Sequence, residues 1–168
     1  MYNDTVTFFT RYKSRLGDTW YPTVIHGCHL NMDRSAIVAK YGPESQDNAV
    51  LNVRYKVEPL LIGEPQCKQI PWLAGKKLVV NNKIWLPPNE WDSQVSDEFP
   101  KTITFAAGTA FDFFWFGEWT GADVISDDDY DTDGGFYQYM NNLYDYVFSV
   151  TSVGGPYTVI PHFEIMGK

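Results

Sequence analysis

The chain has 168 residues and a mass of 19.3 kDa, the size of one domain built around a single core. Its hydrophobic share of 44% and aromatic share of 17% exclude an intrinsically disordered chain, and no uncharged apolar run reaches the roughly 20 residues that cross a bilayer, Thr102–Phe111 being cut short by Asp112. The formal charge of −8 is split unevenly: residues 1–84 carry 11 Lys/Arg against 7 Asp/Glu, net +4, and residues 85–168 carry 2 against 14, net −12. That division disfavours direct binding of duplex DNA, for want of a basic stripe, and suits head-to-tail contact between copies or with a differently charged partner as well as plain solubility.

The opening Met1-Tyr-Asn-Asp lacks a basic segment followed by an apolar stretch, so a secretory leader is not expected and residence in a cytoplasm is. Val6, Phe8 and Thr10 then alternate with Thr7, Phe9 and Arg11 in the period of a half-buried strand. A second strand over Trp20–Leu30 turns His26 and Cys28 to one face and His29 to the other. Ser35–Tyr41 reads as a strand linked by the turn-rich Gly42-Pro43-Glu44-Ser45-Gln46-Asp47-Asn48 to Ala49–Val57, where Leu51, Val53, Tyr55 and Val57 alternate with Asn52, Arg54 and Lys56. Pro59, Pro65 and Pro71, with Gly63 and Gly75, mark residues 58–75 as an irregular excursion with a binding or packing duty. Lys77–Val80 and Lys83–Leu86 flank Asn81-Asn82, residues that tolerate positive φ and predict a two-residue hairpin turn.

Phe136, Met140, Leu143, Tyr144 and Val147 share a face at helical spacing and predict the one helix, about three turns long, with Asp131 and Asp133 at the positive end of its dipole. Tyr146–Val153 and Tyr157–Ile165 flank Gly154-Gly155-Pro156, a last hairpin signal. The two cysteines, Cys28 and Cys67, are too few for a disulfide framework and read as free thiols. The sum is a single mainly β domain over 1–168, a small β-barrel or sandwich with long loops and one short α-helix.

No nucleophile elbow, nucleotide-cradling loop, His-Glu-x-x-His helix or dinucleotide fingerprint is present, so neither an enzyme nor a cofactor is expected. His26-Gly-Cys28-His29 offers three metal ligands that a regular strand sends to opposite faces. His162, after Pro161, reads as a partly buried, hydrogen-bonded imidazole, and fourteen acidic groups in one half make any chosen glycosidase pair uninformative. Asp129-Tyr-Asp131-Thr-Asp133-Gly134 matches the first six positions of a calcium loop, but its twelfth position is Met140 and not Glu. Asp129, Asp131 and Asp133 are thus a weak cation candidate. The plainer reading of Asp127, Asp128, Asp129, Asp131 and Asp133 is a solvated acidic loop over 127–133 that caps the next helix. Phe111, Phe113, Phe114, Trp115, Phe116 and Trp119 put rings on both faces of a strand, so one face is covered, either by the helix or by a neighbouring subunit for which Phe114, Trp115, Phe116 and Trp119 are interface anchors. From another class, a carbohydrate-binding β-sandwich would use the exposed aromatic residues and the calcium loop, and an enzyme with paired carboxylates ranks third.

Thr5-Val-Thr-Phe-Phe-Thr-Arg-Tyr12, then Thr19-Trp-Tyr-Pro-Thr-Val-Ile-His-Gly-Cys-His-Leu30, then Asn48-Ala-Val-Leu-Asn-Val-Arg-Tyr55 resemble the head-closure ("stopper") or minor-capsid neck proteins of long-tailed bacteriophages. Gly135-Phe-Tyr-Gln-Tyr-Met-Asn-Asn142 and Val159-Ile-Pro-His-Phe-Glu-Ile165 are similar to uncharacterised proteins of the head–tail gene cluster of phages of Firmicutes. The resemblance covers residues 4–57, and the 58–75 excursion and the acidic stretch 90–133 exceed a minimal stopper, which leaves the adjacent adaptor and the tail-completion protein open. It implies a small β-barrel made in the bacterial host cytoplasm and assembled as a ring of copies of itself in the virion neck. Its partners there are portal or adaptor and tail proteins, with no membrane. Such a ring closes the channel after packaging and passes viral DNA without binding it specifically, and the resemblance implies that the acidic loop of Asp127, Asp128, Asp129, Asp131 and Asp133 faces the channel or a partner.

Overall fold

In chain order the strands are β1 (Asp4–Tyr12), β2 (Thr19–Met32), β3 (Ala49–Arg54), β4 (Lys56–Pro59), β5 (Lys76–Val80), β6 (Lys83–Trp85), β7 (Thr102–Ile103), β8 (Phe113–Trp115), β9 (Ile125–Ser126), β10 (Val147–Tyr157) and β11 (His162–Gly167), with helices α1 (Pro88–Asp92) and α2 (Phe136–Leu143). This computed structural model describes residues 2–32 and 49–168, and the strand expected over Ser35–Tyr41 and the turn over Gly42–Asn48 lie outside the described residues.

Strands β1, β8, β10, β11, β3 and β2 pair in that order, all antiparallel, and the β1–β2 pairing closes them into a six-stranded barrel. Of barrel and sandwich, the barrel is the architecture formed. The alternation read in β1 holds, yet residues 6–10 are all buried, because this strand is covered on both faces. Val6 and Phe8 join Leu51, Val53, Phe114, Phe148, Phe163 and Ile165 in the barrel core. Phe9 turns outward with Trp20, Phe113 and Val147 into a second cluster under Phe136 and Met140 of α2. Of the two covers the aromatic run leaves open, the helix is therefore in place. It ends at Leu143, short of the three turns expected, and Val147 belongs to β10, opposite Trp115.

Residues 56–106, between β3 and the return to β8, form a second sheet in the order β4-β5-β6-β7 together with α1 and a 3-10 turn over Ser96–Lys101. This insert packs on β1, β2 and β11: Phe105 meets Phe8 at 4.8 Å and Phe163 at 5.0 Å, and Trp91 meets Tyr12 and Tyr21 at 6.3 and 6.0 Å. Its buried Leu78, Trp85 and Ile103 belong to the same core as the barrel's. The Asn81-Asn82 turn forms as read, with φ of 48° and 71°, and docks on β2 through a bond from the Asn81 side-chain amide to the Val24 carbonyl and from Lys83 Nζ to the Pro22 carbonyl at 2.9 Å and Thr23 Oγ1 at 2.8 Å. Burial beneath the hairpin pulls the Lys83 ammonium down to about 8.

The 58–75 excursion carries the expected packing duty. The Glu90 carboxylate of α1 accepts the Lys68 N–H at 2.7 Å, Gln66 Nε2 donates to the Cys67 and Leu73 carbonyls, and Lys77 Nζ reaches both Glu64 oxygens at 2.7 Å. Cys28 and Cys67 are buried free thiols, and burial pushes Cys28 up to about 12.

Two register details differ from the sequence reading. Gly27, at φ 70°, takes the extra residue where the β1–β2 register shifts between Asp4 and Thr5, so Cys28 points into the core while His26 and His29 are both on the outer side. The expected pairing of His26 with Cys28 on one face is thereby reversed. The C-terminal hairpin forms, but Gly154-Gly155-Pro156 lies inside β10 as a register irregularity, and the chain reverses at Thr158–Pro161.

Candidate functional site

The acidic segment Asp127–Asp133 is a 3-10 element interrupted at Tyr130 and ended by Gly134 in the left-handed region, φ 84°. Asp127 does not face solvent as expected of the loop. Its Oδ1 accepts the Trp20 indole N–H at 2.9 Å and the Phe136 N–H at 2.9 Å, satisfying one of the orphan donors at the start of α2. Asp131 and Asp133, the residues read for the dipole, lie exposed just before the helix, and the hydrogen-bonded cap at this end is Asp127. Gly135, at φ 109°, makes room for this: a side chain there would meet the Asp127 carboxylate at 3.1 Å. Asp128 lies against Gly17, while Asp129, Asp131 and Asp133 are exposed. Among the described residues no three His, Cys, Asp or Glu side chains converge to hold a metal ion. Asp127→Ala should lower stability by about 2 kcal/mol, since a helix cap and a buried indole partner go together, whereas Asp129→Ala, Asp131→Ala and Asp133→Ala should each stay within about 0.5 kcal/mol. Urea denaturation checks both.

The four aromatic residues read as interface anchors separate in the structure. Phe114 is fully buried, 5.4 Å from Phe148 in the barrel core, so it cannot anchor a partner. The Trp115 ring lies 4.5 Å from Tyr144, and Trp119 meets Phe9 and Phe136 edge-on while its indole N–H bonds the Ala122 carbonyl. Phe116 alone of the four is an exposed large apolar side chain.

The surface that sequence reasoning missed is the tip of the β10–β11 arm. Val159 is 96% exposed and Ile160 63%, with Tyr157 also exposed. These residues stand on a pinned turn: the Tyr55 hydroxyl donates to the Tyr157 carbonyl at 2.5 Å, the Tyr55 N–H to the Pro161 carbonyl at 3.4 Å, and His162 Nδ1 lies 2.6 Å from the Ile160 carbonyl. That last contact gives His162 the hydrogen-bonded role read for it. The signal in the sequence was the broken alternation. Phe163 and Ile165 keep a period of two, and Val159-Ile160 side by side do not.

A second exposed apolar feature is the bend of the 58–75 excursion, where Leu61 and Ile62 are 62% and 106% exposed. Beside it, on the second sheet, is an open groove of about 430 Å³ lined by Val79, Ile84 and Ile62 among charged side chains that include Glu58, Glu64 and Lys77. Asp112 and Lys83, the strongly displaced titratable groups besides Cys28, lie apart from this groove and are engaged in framework bonds. No protein-family model matches the chain, and no curated protein or solved structure matches it.

Proposed function

We propose that the chain is a structural ring subunit of the head–tail connector of a long-tailed bacteriophage, closing the head channel after DNA packaging and passing the genome at ejection. The observation that carries this reading is the closed six-stranded barrel, the architecture implied by the resemblance over residues 4–57. A subunit of this size encloses no duplex channel by itself, so the role needs a ring, and a ring needs two unlike surfaces that meet head to tail. The exposed arm tip and the exposed excursion supply two candidate projections on separate elements. The acidic residues Asp128, Asp129, Asp131 and Asp133 would oppose adhesion of DNA wherever they face the channel. The adaptor and the tail-completion protein are adjacent layers that the same architecture serves.

A phage with an early stop codon in this gene should package DNA but fail at closure or tail joining. Electron microscopy and nuclease sensitivity of the packaged genome read the result. Tailless heads that fill and then leak DNA support head closure, and filled, nuclease-resistant heads without tails move the assignment to a tail-side layer. Normal infectious particles remove the neck reading and favour the sugar-binding alternative.

A further inference from the structure

We propose that the cleft between the barrel and the second sheet binds a small phosphate monoester bearing hydroxyl groups, with Arg54 and Lys56 taking the phosphate and Glu58 a hydroxyl. The site lies within one subunit and does not depend on assembly into a ring.

The cleft has a volume of about 290 Å³ and is walled by three elements: His26 of β2, the β3–β4 junction with Arg54, Lys56 and Glu58, and the β5–β6 turn with Asn82 beside Val79. Clefts where two layers of a fold meet are favoured ligand positions, and this volume is at the small end of their range. Its walls are held by the fold itself. The Asn81 side-chain amide and Lys83 fix the turn on β2, Tyr55 donates to the Tyr157 and Pro161 carbonyls from within the junction, and His26 sits between Thr5 Oγ1 at 3.2 Å and Glu118 at 3.6 Å.

The cations of the cleft are available to a ligand. Arg54, Lys56 and Glu58 recur at the strand period of two and are all exposed. Elsewhere the Arg11 guanidinium pairs with Asp18 at 2.6 Å and the Lys77 ammonium with Glu64 at 2.7 Å. Among the described residues no carboxylate lies within ion-pair distance of Arg54 or Lys56, although the chain has 21 acidic residues for 13 basic ones. Arg54 is nonetheless positioned, its guanidinium carbon 3.8 Å from the centre of the Tyr2 ring. Stacking of this kind holds the guanidinium plane and leaves its N–H fork open to two oxygens of one phosphate. A phosphate monoester carries close to two negative charges at neutral pH, and Lys56 supplies the second cation.

Glu58 decides what else the ligand carries. It is the one carboxylate among the described lining residues, and it repels a bare anion but accepts a hydrogen bond from a hydroxyl. A hydroxyl-bearing monoester is thereby favoured over inorganic phosphate. The same carboxylate and the small volume disfavour nucleic acid, whose phosphodiesters form a continuous anionic line.

The test is calorimetric titration of the purified full-length protein, at neutral pH and low ionic strength, with ribose 5-phosphate, ribose, inorganic phosphate and a single-stranded oligonucleotide. Ribose 5-phosphate should bind one to one and more tightly than inorganic phosphate, and ribose should not bind measurably. Arg54→Gln should weaken ribose 5-phosphate at least about tenfold and Lys56→Gln about threefold or more. Glu58→Gln should tighten inorganic phosphate and narrow its disadvantage. Lys13→Gln removes an exposed cation from outside the cleft and should change binding less than about twofold. All four side chains are exposed, so each variant should melt within a few degrees of the wild type. No saturable binding of ribose 5-phosphate at about 10 millimolar, binding that survives Arg54→Gln, or equal weakening by Lys13→Gln overturns the site. An oligonucleotide that binds more tightly than the monoester overturns the small-ligand assignment, and a preference unchanged by Glu58→Gln overturns the hydroxyl contact.

Discussion

Phe114→Ala should cost about 3–5 kcal/mol, the usual range for deleting a phenyl ring from a closed core, and Phe116→Ala, two residues on, less than about 1 kcal/mol. Phe114 is fully buried among Phe8, Phe148 and the barrel core, and Gly167 lies so close that a Cβ added there would come within 3.0 Å of its ring, so the site is tightly enclosed. Phe116 is exposed, and among the described residues its one aromatic neighbour is Tyr146, at 6.2 Å. Chemical denaturation of the two variants under one set of conditions reads the contrast directly. Equal losses would mean that β8 does not stand between β1 and β10 with Phe114 inward.

Asp112→Ala should be similarly damaging, by about 3–5 kcal/mol, through polar groups rather than volume. Asp112 is 1% exposed, and its two oxygens accept the Arg11 N–H at 2.9 Å and the Ala106 N–H at 2.8 Å, joining β1 to the strand end that leaves the insert. Removing the carboxylate strands two buried donors, at about 1–3 kcal/mol each. Burial pushes the Asp112 carboxyl well above the usual carboxylate range. The native state therefore takes up this proton at a higher pH than the unfolded chain does. The stabilisation so gained is complete below the unfolded value of about 4 and is lost as pH rises through the native one. The wild type should accordingly gain on Asp112→Asn as pH is lowered from neutrality, and a stability difference independent of pH would contradict the burial argument.

Much of the barrel was legible because its strands obey local rules. β3 alternates cleanly, and the paired asparagines of the β5–β6 turn announce their own backbone conformation. The consecutive rings from Phe113 to Phe116 correctly called for a cover on one face, and α2 supplies it. Long-range geometry was not legible. Nothing local to Gly27 says that it opposes a register shift, yet that one residue reverses the facing of Cys28 relative to His26. Gly154-Gly155-Pro156 carries a strong turn signal that pairing with β11 overrides, which hid the arm tip. The short α1 opens on two prolines and reads as loop, since its few residues are held by packing of Trp91 and not by propensity. Within the acidic segment composition alone could not tell which aspartate turns inward, because the choice depends on where Trp20 sits across the fold.

The strand order also sets a schedule for folding. β11 is the last barrel strand in chain order, and it lies between β10 and β3, whose partners are about a hundred residues apart in sequence. Vectorial synthesis therefore cannot close the barrel early. Until β11 has emerged, β3 and β10 each present a bare edge of unpaired backbone, and the final pairing bears the loop-closure entropy of nearly the whole domain. The growing chain spends that interval as an open sheet, the form most prone to edge-to-edge association with its siblings on neighbouring ribosomes. Completion of β11 ends this exposure in one step, so yield of soluble protein should respond to synthesis rate and to changes in β11 far more than its six residues suggest.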